Sequence, residues 1–150
     1  MSYHAPIRKA ISEVLETMFF LSIDFEDQAP EGRFWLCEAR IPVWVENGEM
    51  NVALRMVEDF ARMAAANFLG VDDDRVEDGE VADVVREMAN MVGGVFIENA
   101  GDSSARLGIS TFSRTLGEIE PNGEEVPFAV MGDFAGVVSW KRKSISGSRT

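Results

Sequence analysis

The sequence predicts an α+β domain: a mostly antiparallel sheet with long helices packed on one of its faces. Three observations carry that prediction. Apolar residues recur at helical spacing in three stretches, from Pro6 to about Phe19, from Glu58 to Leu69 and from about Glu80 to Asn99. Two tight-turn signals, Asn47-Gly48 and Gly132-Asp133, each stand between runs rich in β-forming residues. The order helix, strands, helix, then helix, strands also describes two similar halves within 150 residues, the size of one domain.

Each element has its own warrant. Pro6 suits a first helical turn, and Ile7, Ile11, Val14, Leu15 and Met18 then share one helix face. Leu21 to Phe25 reads as a short strand, closed by the turn Pro30-Glu31-Gly32. With Asn47-Gly48 as a two-residue turn, Val45 faces Met50, Val43 faces Val52, Ile41 faces Leu54 and Ala39 faces Met56, one apolar face throughout. Pro42 has no N–H for a ladder, which predicts an edge or a bulge there. Glu58 to Leu69 is a helix with acids at its start and Gly70 as its stop. An acidic linker, Asp72 to Glu80, leads into the longest helix. After a loop at Gly101 to Ser104, Arg106 to Phe112 reads as a strand, and Val126 to Met131 with Phe134 to Trp140 as a hairpin. Residues 1–140 are therefore expected to form the domain, and 141–150 a disordered basic tail.

Composition removes whole classes of chemistry. The net charge of −12 argues against a nucleic-acid partner. No apolar run approaches the roughly 20 residues needed to span a bilayer, so a cytoplasmic protein without membrane contact is expected. The one histidine, His4, lies near the terminus and leaves a serine or cysteine nucleophile without a base. The one cysteine, Cys37, falls in an alternating strand pattern and reads as a buried, inert thiol. Zinc ligands are lacking, and Asp72 to Glu80 does not keep calcium-loop spacing. What remains is chemistry by carboxylates and amides.

Such groups line one side of the long helix. At about 100° per residue, Asp83, Glu87, Asn90 and Gly94 lie in a stripe roughly 60° wide, opposite Val81, Val84, Val85, Met88, Met91, Val92, Val95 and Phe96. Gly93 and Gly94 each cost about 1 kcal/mol relative to alanine inside a helix. A glycine beside Asn90 leaves room for another molecule's backbone. Sliding the first helix onto this one places Ser12, Glu16 and Phe19 on Asp83, Glu87 and Asn90, a weak sign of duplication in which only the second helix keeps the amide.

The spacing Asp83, Glu87, Asn90, the context EMANMVGG and the run VLETMFFL near the start resemble the CheC/CheX/FliY phosphatases of bacterial chemotaxis, most closely the CheX branch. The resemblance spans nearly the whole chain. It implies pseudo-duplicated halves and hydrolysis of the aspartyl-phosphate on a CheY-like response regulator. In that role Asn90 orients the attacking water, Glu87 pairs with the regulator's lysine, and Asp83 and Gly94 belong to the partner-binding face. It also implies no cofactor in this chain, Mg2+ being carried by the receiver-domain partner, and a homodimer joined through the sheets. A non-catalytic module that binds a response regulator or joins a flagellar-switch-type assembly is the alternative. The family's signature ends in a proline. Strict counting puts that place at Ser113, and alignment on the strand LGIST puts it at Ser110 or Thr111.

Overall fold

The computed structural model describes residues 2–46, 48–121 and 123–143. Its elements are α1 (His4–Met18), β1 (Asp24–Phe25), β2 (Phe34–Val45), β3 (Gly48–Val57), α2 (Glu58–Leu69), a 3-10 turn (Asp73–Arg75), α3 (Asp78–Ala100), β4 (Arg106–Leu107), β5 (Thr111–Gly117), β6 (Glu124–Val130) and β7 (Asp133–Arg142). The seven strands form one sheet in the order β1-β6-β7-β3-β2, with β4 and β5 both along the far side of β2. All pairs are antiparallel.

The three helices share one face of that sheet. Alternate residues Cys37, Ala39, Ile41 and Val43 of β2 and Met50, Val52, Leu54 and Met56 of β3 join one buried cluster with Ile11, Leu15, Phe60, Ala64, Val85, Met88 and Phe96 of the helices. The two halves are related about the β3–β7 seam. On one side β1 pairs with β6, the first strand of the second half's hairpin. On the other, β5 pairs with β2, the first strand of the first half's hairpin.

Two turns close one step from the predicted place. Val45 pairs with Gly48 where Met50 was expected; Asn47, predicted in the turn, lies outside the described residues. The register is therefore Val43↔Met50, Ile41↔Val52, Ala39↔Leu54 and Cys37↔Met56. A slip of two keeps every side chain on its face. The predicted register would set Arg40 opposite Arg55, whereas the observed one sets Glu38 there, although Glu38 pairs with Arg40 and Arg55 donates to the Glu120 carbonyl. In the second hairpin Val130 pairs with Asp133, and Met131 and Gly132 occupy the turn with φ of 53° and 85°. Positive φ at both central positions matches the twist of the flanking strands. Gly132 thus takes the second turn position and Asp133 starts the strand.

Three further expectations are corrected. The strand expected over Leu21 to Phe25 is reduced to Asp24–Phe25, the residues that find partners on β6. The strand expected over Arg106 to Phe112 is broken at residues 108–110. A side chain at Gly108 would meet the Trp44 ring at 2.8 Å and Pro42 at 2.9 Å, and the Gly108 N–H instead donates to the Pro42 carbonyl. Pro42 lies inside the sheet, but its missing donor faces this interruption, where no continuous strand needs it. Finally, Lys141 and Arg142 belong to β7 because Asn51 and Met50 offer them ladder partners. Residues 144–150 of the expected tail lie outside the described residues.

Cys37 is 1% exposed, and burial pushes its thiol from 9.0 up to about 11. The folded state holds the proton that the unfolded chain releases, so this contribution to stability is complete below pH 9.0 and is lost as pH rises toward about 11. Denaturation across that window is expected to show a steeper alkaline loss for the wild type than for Cys37→Ala. Equal slopes would show that the buried thiol plays no part.

Candidate functional site

The helix that carries the stripe is fixed at both ends. Glu77 and Glu80 cap each other's backbone reciprocally, which starts α3 at Asp78 rather than at Glu80. Gly101, at φ 70°, ends it. Between the caps, Val81, Val84, Val85, Met88, Ala89, Val92, Gly93 and Phe96 are buried.

The adjacent glycines do different work. A Cβ on Gly93 would stand 2.8 Å from Leu107 Cδ2 and 3.6 Å from Ile41 Cδ1, so this glycine lets the helix lie close over β2 and β4. A Cβ on Gly94 would meet nothing within 4 Å, and its φ is not positive. The periodicity alone did not separate them.

All four predicted site residues lie on the same side of α3. Asp83 and Glu87 are exposed, while Asn90 and Gly94 are half-buried. At i, i+4 and i+3 steps their Cβ atoms are neighbours at about 5–6 Å. The side chains of Asp83, Glu87 and Asn90 make no hydrogen bond or ion pair among the described residues. An acid and an amide are thus held on a rigid element with their polar atoms turned outward. Asn90 offers both a donor and an acceptor, whereas Glu87 offers only acceptors.

The corresponding end of α1 is built differently. Ser12 is half-buried and Glu16 exposed, but Phe19 is 0% exposed and stacks on Phe68 at 5.1 Å. It is a core anchor where α3 has an amide. Of the three places considered for the family proline, Ser110 is buried beside the break between β4 and β5, while Thr111 and Ser113 are exposed on β5. That strand is tied to α2 by Arg114, which bonds Glu58 and lies 3.9 Å over the Trp35 ring. The Arg114 guanidinium holds the Glu58 carboxyl below its ordinary range. Sequence reasoning missed Ile109, 80% exposed within the break, because it ran one strand through that segment. Among the described residues, no group of three or more His, Cys, Asp or Glu is placed to hold a metal ion, and no helix is long and apolar enough to cross a membrane.

An antiparallel sheet covered on one face by helices, with a carboxylate and a carboxamide displayed on the longest helix, places the chain among two-layer α+β domains. Residues 45–131 match the family model described as chemotaxis phosphatase CheX, and the chain belongs to that family. No protein of curated function matches it in sequence. Among solved structures, the chemotaxis protein CheX of Vibrio vulnificus is 19% identical with a TM-score of 0.75, over 94% of this chain and 97% of that one. CheX of Borrelia burgdorferi, solved as a complex with CheY, BeF3 and Mg2+, is 16% identical with a TM-score of 0.67, over 94% and 99%. The middle domain of FliM from Vibrio alginolyticus is 9% identical with a TM-score of 0.58, over 98% and 95%. At these identities the likeness is one of fold.

Proposed function

We propose that this chain is a phosphatase that hydrolyses the aspartyl-phosphate of a CheY-like response regulator. The observation that carries the reading is the outward-facing pair Glu87 and Asn90, unengaged within the chain, with open space at Gly94 one turn on. Membership of the CheX family supports it, as does a relative of this fold solved with CheY. An exposed helix face suits a protein substrate better than a small molecule, which needs a concave site.

The chemistry asks little of the enzyme. Water adds to phosphorus, the bond from phosphorus to the aspartyl oxygen breaks, and the products are inorganic phosphate and the regulator's carboxylate. In such transfers, positioning and charge stabilisation dominate. The Asn90 carboxamide accepts a hydrogen bond from the water and orients it in line. Glu87 pairs with a lysine of the receiver, Asp83 contributes to the same face, and Mg2+ is carried by the receiver. The working unit is a homodimer.

Phosphate release from a phosphorylated receiver, with this protein substoichiometric, tests the reading. Many turnovers per protomer are expected. Stoichiometric binding without turnover would overturn it in favour of a non-catalytic module, a reading to which the FliM likeness lends support. Glu87→Ala is expected to weaken receiver affinity about thirtyfold, matching the ~2 kcal/mol lost when an interface charge pair is truncated. Titration calorimetry checks this; wild-type affinity in the variant would remove Glu87 from the docking role.

A further inference from the structure

The long helix carries a single cation. Of the 23 residues of α3, Arg86 alone is basic, and it stands exposed one turn before Asn90. At about 100° per residue it lies about 40° from Asn90, and Glu87 lies about 60° away on the other side. The carboxamide is therefore flanked by a cation and an anion, with the Cβ atoms of Arg86 and Asn90 about 5–6 Å apart. Helical side chains lean toward the N-terminus, which carries the Asn90 amide over the turn that holds Arg86.

Arg86 is also unengaged. Arg40, Arg62 and Arg114 each pair with a carboxylate of the chain. Arg86 makes no hydrogen bond or ion pair among the described residues, although Asp83, three residues earlier, is its neighbour on the helix surface. An unpaired surface arginine needs no explanation by itself; its place does. Asp83 and Glu87 bring two negative charges to a face proposed to meet a phosphoryl group, itself negative. By pairing with the receiver's lysine, Glu87 also draws part of that cation's charge away from the phosphoryl oxygens. Acids and an amide alone would oppose the transition state they are meant to serve. Arg86 is the one side chain of α3 that supplies the opposite charge.

We infer that Arg86 is a further catalytic residue: its guanidinium contacts the phosphoryl oxygens of the receiver as water attacks, beside the amide that orients that water. The inference rests on the phosphatase reading and adds to it a source of positive charge from this chain. In phosphoryl transfer the charge spreads over three equatorial oxygens, and an arginine reaching in from a second protein stabilises it. The planar fork offers paired donors to two of those oxygens at once. Arg86 moves no proton, since its guanidinium stays charged. The water oxygen bonds to phosphorus, the aspartyl oxygen leaves with the electron pair of the broken bond, and both water protons stay with the phosphate product.

The test measures turnover of a phosphorylated CheY-like receiver by substoichiometric wild type, Arg86→Gln and Arg86→Lys. Arg86→Gln is expected to lower kcat about a hundredfold, as loss of one preorganised donor does, with KM within about threefold. Arg86→Lys keeps the charge without the fork and is expected to lose about tenfold in kcat. Tm is expected to hold in both, because Arg86 is exposed and unpaired. Affinity for the receiver carrying BeF3, a mimic of the phosphorylated ground state, is expected to stay at the wild-type value in Arg86→Gln and to fall in Glu87→Ala. That contrast separates a contact made in the transition state from one made on docking. Wild-type kcat in a folded Arg86→Gln overturns the inference and leaves the phosphatase reading standing. A loss confined to KM and to BeF3-receiver affinity also overturns it, and makes Arg86 a docking contact for a receiver acid. A wild type without turnover overturns the phosphatase reading itself, and this inference with it.

Discussion

Asn90→Ala is expected to lower receiver dephosphorylation by about a hundredfold or more, while the protein keeps its melting temperature. The size follows from the role proposed for the amide: a reacting water displaced by an ångström loses rate on that scale. The stability expectation follows from the fold. Asn90 is half-buried, its side chain bonds no other described residue, and alanine is the better helix former. Receiver affinity should change much less than turnover, because the water-orienting contact matters most in the transition state. Phosphate release and calorimetric melting, measured on the same preparation, check this. A folded variant with wild-type turnover would dismiss the proposed mechanism, whatever its affinity.

The adjacent glycines supply the second large contrast. Gly94→Leu is expected to hold or raise stability, by roughly 0.8 kcal/mol from helix propensity. Its Cβ enters open space on a helical backbone. The added side chain would stand beside Asn90, where the proposal places the receiver, so docking should fail sterically. Gly93→Leu is expected to do the reverse. Its Cβ would press on Leu107 at 2.8 Å with Ile41 behind it, and overpacking of this kind costs about 1–3 kcal/mol. Melting temperature and receiver affinity together separate the two effects. A Gly94→Leu protein that is stable and binds normally would show that the receiver does not use this face.

How much of this was legible from residues alone depends on whether the deciding interaction is local. The boundaries of α2 were readable because Gly70 is a stop signal within the chain's own sequence, and the apolar side of α3 followed from periodicity. The start of α3 was misplaced by two residues because Glu77 and Glu80 act as a pair that a one-sided search for a cap overlooks. The first hairpin's faces were legible, yet a register slipped by two keeps those same faces, so the apolar pattern did not choose between the two pairings. The break at residues 108–110 is non-local: Gly108 leaves the ladder because Trp44 and Pro42 fill the space beside it. The candidate stripe was legible as a pattern on α3. That Gly93 serves packing and Gly94 stands open depends on where Leu107 lies, which no helical wheel contains.

The exchange of strands between the two halves has a consequence for how the chain is made. Neither half can complete its sheet alone: β1 waits for β6, and β5 must return to β2. Asp24 finds its partner at Ala129, a closure whose entropy is offset only when most of the chain is already in place. Folding should therefore be slow for a domain of this size, as long-range topologies are, and should have no half-folded resting state. Cut in the acidic linker, the two pieces should be unstructured singly and assemble when mixed, as two hands clasp only together.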